Sequence, residues 1–393
     1  MPAQDPTAPL AGRQALVLGA GVAGLGAAIA LRQRGAEVSI LEQAPRITEV
    51  GAGLQISPNG ARVLQALGID PAEAGDRSEA VQLHDSTGRL VTRLAMPQDG
   101  AGFWLCHRAD LIRALERRMR AAGIHVQLLQ KVEDIPLPDP GPSVTTQAGA
   151  RHDSPLLIGA DGLHSPLRRV LNGAAEPFFT GQVAWRALIP GDDGPRVAQV
   201  FMGPGRHLVS YPLRGGKLRN IVAVQERSVW AAEGWNQPDD PEALRAAFAR
   251  FGGPVPGWLE QVQELYLWGL FRHPVARHWH DSEGRAALLG DAAHPTLPFM
   301  AQGANMALED CWTLADCLAS TPDDPQTALA IYQQRRAPHV TKVVAAANAN
   351  ARNYHLKGPM AALAHAVLRT GNALAPSMAL KRYDWIYQHD VTA

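Results

Sequence analysis

Three groups of residues in this chain have the types and spacing to do chemistry. The first is Gly19, Gly21 and Gly24, in the order G-x-G-x-x-G, with Glu42 about 20 residues on. The second is His207 and Tyr211, four apart in RHLVSYPL. Positions i and i+4 of a strand share a face, so the imidazole and the phenol project together, about 13 Å apart by strand rise. An imidazole titrating near neutrality suits general-base work; the competing assignment is a surface histidine and a core tyrosine. The third is a pair of acid-bearing turns, Asp161 in GADGLHSPLRR and Asp291 in LLGDAAHPTLP, the latter just before His294. Arg186 and Arg214 can each grip a carboxylate with two prongs, or lie as solvated surface charges.

The elements that must position these residues are legible around them. Ala15 to Leu18 fits a short buried strand, Leu25 to Leu31 an apolar helix closed near Gly35, and Val38 to Leu41 a second strand ending on Glu42. In such a unit Gly19 permits the sharp turn, Gly21 admits a pyrophosphate close to the backbone, and Gly24 lets helix and strand pack. The helix N-terminus offers N–H groups and a positive dipole end, and Glu42 can accept from ribose hydroxyls. Ala23 and Gln43 flank these positions. The motif by itself leaves FAD and NAD both open.

Ser57-Pro58 starts a helix that Gly68 closes, and Gly51 and Gly53 mark the loop before it. His107 to Gly123 is the clearest amphipathic helix, with Leu111, Leu115 and Met119 at i+4 spacing. From Phe178 to Val229 alternating, aromatic-rich stretches predict antiparallel strands of a second sheet. Residues 241–263 read as helical and Leu265 to Phe271 as a strand. Ala286 to Leu289 returns to the first fold, a helix opens near Gly303, and the Ala-rich end is helical with breaks at Pro322, Pro338, Gly358 and Pro376.

The fold class is therefore α/β. A Rossmann-like nucleotide-binding fold is assembled from residues 1–75, 100–177 and 273–330. An antiparallel or mixed sheet of residues 76–99 and 178–272 is inserted as the substrate side, and 331–393 form a helical region. The 393 residues carry 37 Lys plus Arg against 37 Asp plus Glu, which argues against nucleic acid or a membrane surface as partner. Three cysteines with no C-x-x-C pair suit a reducing cytoplasm. The N-terminal stretch with Pro2, Pro6 and Pro9 has no signal-peptide pattern and reads as a disordered tail. No run is long enough to span a bilayer. His273, His278 and His280 lack the spacing of a metal site, so no metal is expected.

Taken together, GAGVAGL at 19–25, GADGLHSPLRR at 159–169 and LLGDAAHPTLP with AQGANMALED at 288–310 resemble the single-component flavoprotein aromatic hydroxylases. VGAGLQISPN, WLCHRADL and YPLRGGKL resemble segments of the salicylate, 3-hydroxybenzoate and 6-hydroxynicotinate hydroxylases within that family. The resemblance implies bound FAD, NADH or NADPH as a transient co-substrate, and O2. It implies hydroxylation of a small phenolic or N-heteroaromatic carboxylic acid through a flavin C4a-hydroperoxide, in a cytoplasmic monomer or homodimer. It places Glu42 on the adenosine ribose, Arg108 near the ribityl and phosphate region, and Asp161 at both the flavin and the visiting nicotinamide. Asp291 falls by the ribityl chain, and Gly303, Ala304 and Asn305 at a helix N-terminus aimed at the flavin O2 region. His207 and Tyr211 become the pair that binds and deprotonates the phenol. His294 becomes either catalytic or a loop anchor, and Pro298 shapes the loop beside the flavin.

Two departures stand out. Ala301 replaces a glycine of many relatives, and Gln55 stands where hydroxynicotinate hydroxylases carry a histidine; Gln55, with Arg186 and Arg214, is a substrate-side candidate. Rival readings are a flavin monooxygenase or epoxidase of a non-aromatic compound, an NAD-dependent dehydrogenase, and a non-catalytic FAD-binding redox sensor.

Overall fold

The computed structural model describes residues 7–47, 52–139, 141–192, 194–227, 237–374 and 378–393. The expectations at Pro2, Pro6, Gly51 and Pro376 lie outside them. A five-stranded parallel sheet runs in the order Ala286–Leu288, Leu157–Gly159, Gln14–Leu18, Glu37–Leu41, His125–Gln127. Its strands come from widely separated stretches of chain, and their C-terminal ends open on one side, where α/β sheets bind ligands.

The helix Val22–Gln33 follows the first strand and is buried from Leu25 to Leu31, because apolar residues cover its whole circumference. Its small residues admit a second helix, Gly303–Ser320, at close range. A Cβ on Gly26 would lie 2.9 Å from Cys311 Sγ, and that thiol donates to the Ala23 carbonyl at 2.9 Å. The three cysteines are buried and free.

The second sheet has eight strands, in the order Gln237–Pro238, Tyr266–Arg272, Phe178–Pro190, Leu218–Glu226, Arg206–Leu213, Val197–Gly203, Ala80–Asp85, Leu90–Ala95. All pairs are antiparallel except Val197–Gly203 with Ala80–Asp85, so the sheet is mixed. Its strands obey the period of two. Val183, Trp185, Ala187 and Ile189 point into an outer core covered by the helices Pro241–Phe248 and Val255–Glu260, and the intervening Arg186 faces the other way, toward the nucleotide-binding fold.

Two helical expectations need correction. The helical stretch 241–263 is two helices, broken at Gly252-Gly253-Pro254, where the Gly252 N–H donates to the Ser86 carbonyl at 2.8 Å. Pro338 does not break the chain: the helix Pro325–Tyr354 runs through it. A proline there forfeits one i to i−4 hydrogen bond. Tertiary packing outweighs that loss, with Tyr332, Arg336, Val340 and Val343 all buried against the first fold. Among the described residues no helix is long and apolar enough to cross a membrane.

Candidate active site

A cavity of about 1200 Å³ lies between the two sheets. That exceeds the roughly 300–1000 Å³ of a pocket for one drug-sized ligand, leaving room for a large ligand and a second ring beside it. One end is built by the glycine turn. Gly19 has φ +94, and a Cβ there would sit 2.6 Å from the Ala160 carbonyl oxygen, so neither the turn nor the neighbouring strand tolerates a side chain. Gly19, Gly21, Ala23, Glu42 and Gln43 all line the cavity. Gly24 does not; a Cβ on it would collide with the Gly19 carbonyl, so its part is packing. No side chain caps the helix that starts after Gly21, which leaves its first N–H groups and dipole to a phosphate. The Glu42 carboxylate is aimed by the turn itself, accepting from Ala20 N at 2.7 Å and Ala44 N at 2.8 Å.

The middle of the cavity is edged by Arg108, Asp161, Asp291, Gly303 and Ala304. Gly290, beside Asp291, abuts Ala23, where an added Cβ would lie 2.9 Å from the Ala23 methyl. The early turn and the late Gly-Asp thus converge. Arg108 is charge-coupled to Asp291 across the cavity, although burial pulls its pKa down. Burial pushes Asp161 up to about 7. Its two carboxylate oxygens are sealed from solvent and make no hydrogen bond of good geometry, with weaker approaches from the Ser165 hydroxyl and the residue's own backbone N–H. Orphaned buried acceptors at the edge of a phosphate-binding turn fit the hydroxyls and N–H groups of a flavin dinucleotide.

The far wall belongs to the eight-stranded sheet. His207, Val209 and Tyr211 face the cavity from one strand, and Arg186 and Gln55 also line it. Arg186 pairs in register with Val222, and Val222 with Val209, so its backbone position lies level with the midpoint of the His207/Tyr211 pair. Arg186 stacks over Trp268 at 4.8 Å. Burial, and then the charge of Arg108, lowers it to about 10, which leaves it cationic at neutral pH. Tyr211 is buried and its phenol is pushed up by that burial, with Arg186 pulling the other way. Burial, reinforced by His355, holds His207 well below the ordinary imidazole value, so it is a neutral base. Its Nδ1 is 2.8 Å from His355 Nε2. Pro298 lines the cavity from a short 3-10 turn, Pro298–Met300, which ends on Ala301 in the left-handed region, φ +53. A glycine would sit there unstrained.

Three sequence candidates fall elsewhere. Arg214 is bound to Asp110 through two hydrogen bonds of 2.7 and 2.9 Å, half-exposed and outside the cavity; it serves that surface ion pair. His294 is fully buried and does not line the cavity. Its Nε2 pairs with Asp310 Oδ2, which also accepts the Gly290 N–H at 3.0 Å. Arg336 completes this network, donating to Asp310 at 2.8 Å and Glu309 at 2.6 Å. Burial works to raise both carboxyls, but the charges of His294 and Arg336 on Asp310, and of Arg336 on Glu309, hold them below their ordinary values. The network pins the Gly290-Asp291 turn from behind, which makes His294 an anchor and not a reacting group. Asn305 is likewise a brace, accepting from Ser57 N at 3.0 Å and donating to the Gln55 and Ala301 carbonyls at 3.1 and 2.8 Å.

Sequence reasoning missed the C-terminal contribution. Tyr354, Met360, Arg382, Tyr383 and Tyr387 line the cavity. It also missed the cluster Glu309, His339 and His389, whose ligand atoms lie within 4.8 Å of one another. Arg336 and Asn59 already occupy both Glu309 oxygens, so the cluster is a hydrogen-bonded network around a paired carboxylate.

The convergence of three glycine-bearing turns on one large cavity defines the relationship. The chain belongs to the FAD binding domain family. The model of that family matches residues 13–347. Among its relatives, 3-amino-4-hydroxybenzoate 2-monooxygenase of Streptomyces cremeus is 37% identical over 355 residues, covering 86% of this chain and 87% of the relative. The 3-hydroxybenzoate 6-hydroxylase of Polaromonas naphthalenivorans (strain CJ2) is 35% identical over 362 residues, covering 87% and 88%. The solved structure of a salicylate hydroxylase substrate complex superposes with a TM-score of 0.80 at 27% identity, covering 96% of each chain. The chain is an FAD-dependent monooxygenase of the aromatic hydroxylase type, with FAD as resident cofactor and NAD(P)H as co-substrate. A dehydrogenase or a redox sensor would not belong with these relatives.

Proposed function

We propose that this enzyme hydroxylates the ring of a small phenolic or hydroxylated N-heteroaromatic carboxylic acid, consuming O2. The observation that carries this reading is the sheet wall, where a neutral buried imidazole, a phenol and a cationic guanidinium share one face. Two strand spacings separate Arg186 from the strand of His207 and Tyr211, about 10 Å. The arginine side chain and a carboxylate-bearing aromatic ring together bridge that span. The relatives named above act on aminohydroxybenzoate and hydroxybenzoate, both phenols that carry a carboxylate.

In this arrangement Arg186 holds the substrate carboxylate by a charge-assisted pair. His207 accepts the proton of the substrate hydroxyl, raising the electron density of the ring, and Tyr211, about 13 Å along the same strand, lines the other end of the pocket. FAD, when bound, supplies electrons from NAD(P)H and activates O2 next to that ring. Glu42 would take the adenosine ribose, the Gly19–Ala23 turn the pyrophosphate, and Arg108, Asp161 and Asp291 the ribityl side. The N-terminus of the helix Gly303–Ser320 borders the cavity, and its dipole would favour negative charge on a bound flavin. Leu297, Pro298 and Phe299 close the apolar side and keep water from the reacting atoms. A panel of hydroxybenzoates, aminohydroxybenzoates and hydroxynicotinates, read by NADH consumption and product mass, tests the proposal. At least one carboxylated phenol or hydroxypyridine should stimulate NADH oxidation and gain one oxygen. Stimulation by non-aromatic compounds alone would overturn it.

A further inference from the structure

The cavity-facing His207 is the inner end of a chain of titratable groups that reaches solvent. Its Nδ1 lies 2.8 Å from His355 Nε2. His355 Nδ1 lies 3.0 Å from Glu226 Oε1, and Lys357 Nζ 3.3 Å from Glu226 Oε2. Exposure rises along this line, from 2% for the His355 side chain to 43% for Glu226 and 64% for Lys357.

We propose that His355 and Glu226 form a proton relay that carries the substrate's phenolic proton from His207 to bulk water. The proposal rests on the reading of His207 as the base. The polarity of the chain follows from its outer end. A carboxylate only accepts, so Glu226 fixes the His355 proton on Nδ1. His355 Nε2 then carries a lone pair and must accept, which fixes the His207 proton on Nδ1. His207 Nε2 is left with the free lone pair, as a base requires.

Transfer balances at every atom. The substrate O–H breaks and an N–H forms at His207 Nε2. The His207 Nδ1–H bond breaks as His355 Nε2 gains a proton. The His355 Nδ1–H bond breaks as Glu226 Oε1 gains one, which passes to water. Both imidazoles end in the opposite tautomer and reset by reversing the path when the product is reprotonated. The groups facing the relay are Arg206 and Lys357 around His355, and Phe299 and Tyr354, whose rings lie tilted against His207 at 5.7 and 5.1 Å. Burial, working against Glu226, lowers the His355 pKa, so its resting form is the neutral imidazole that a relay needs. Gly205 leaves room for the carboxylate at the outer end, where an added Cβ would lie 3.1 Å from Glu226 Oε2.

The test uses the oxidised FAD holoenzyme without NADH, so that turnover is not the readout. The probe is 4-hydroxy-3-nitrobenzoate, whose phenolate is coloured, mixed by stopped flow in dilute buffer. In His355→Ala and Glu226→Gln, phenolate should form about 100-fold more slowly than in the parent, at the lower end of the scale of a lost proton-transfer group. Probe affinity should stay within twofold, and added imidazole should restore the rate in His355→Ala. A parental rate in both variants overturns the relay, as does a slow rate that imidazole does not restore. Glu226→Gln changes a half-exposed group and covers the case in which His355→Ala does not fold. The underlying reading is tested separately by His207→Gln. Phenolate formed at the parental rate in that variant sinks His207 as the base. Phenolate abolished there but untouched in the other two sinks only the relay.

Discussion

Replacing Arg186 by Met probes the substrate side most sharply. Methionine keeps much of the bulk over the Trp268 ring and removes the charge. In the native chain Arg186 is half-buried, stacked at 4.8 Å and still protonated at neutral pH, its pKa lowered only to about 10. A charge-assisted hydrogen-bonded pair in such a setting is worth about 1.5–3 kcal/mol. Arg108 is close enough to depress the Arg186 pKa, so it retains part of the attraction for an anion after the substitution. The lower end of that range applies, and dissociation constants for a carboxylated phenol should rise about 10–30-fold. The assay is titration of the oxidised holoenzyme, followed by the flavin spectrum, with 3-hydroxybenzoate and in parallel with phenol. The acid should weaken by that factor and phenol by less than twofold. Arg186→Lys should recover only part of the loss, because an ammonium lacks the planar fork. Equal weakening of both ligands would refute the reasoning and reduce Arg186 to a packing residue over Trp268.

Other perturbations test the scaffold. Asp161 is raised to about 7 in the fold from about 3.9 in an unfolded chain. A carboxyl raised in this way stabilises below its unfolded value, and that contribution is lost as pH climbs from about 4 to 7, in all about 4 kcal/mol. Asp161→Asn should therefore raise the denaturation midpoint of the cofactor-free protein by more at pH 8 than at pH 5; an equal shift at both would contradict the burial argument. Ala301→Gly removes a left-handed alanine, and strain relief of about 1–2 kcal/mol, set against the entropy of a new glycine, should leave a gain of about 0.5–1 kcal/mol in chemical denaturation. Arg336→Met strips the cation from two fully buried carboxylates and should destabilise by about 3–5 kcal/mol; an unchanged melting temperature would show that the two carboxylates do not depend on the Arg336 charge.

The glycine turn and Glu42 were readable because every requirement lies within about 30 residues: strand, turn, helix, strand, acid. The sheet wall was readable for a similar reason. The alternation of RHLVSYPL sets the facing of His207 and Tyr211 without reference to any partner, and both do line the cavity. Arg214 was not, because what removes it from the site is Asp110, a residue 104 positions away. His294 and Asn305 sit inside motifs, where sequence marks a position as constrained without saying whether it touches a ligand or braces one that does. The His355–Glu226 contact joins residues 129 apart, and nothing local in RNYHLKG points to it. Pro338 shows the remaining limit. A local breaker is overridden when its helix is clamped by Tyr332 and Arg336, whose partners lie at Leu288, Glu309 and Asp310.

The central claim is that a carboxylated aromatic substrate receives an oxygen atom from O2 in this cavity. Turnover under 18O2 with the best substrate of the panel, followed by mass spectrometry, tests it directly. The product should be 18 mass units heavier than the substrate, or, where the hydroxyl displaces the carboxylate, should carry one heavy oxygen and lack the elements of CO2. A product whose added oxygen comes from water, or NADH consumed with only hydrogen peroxide formed across the whole panel, would contradict it.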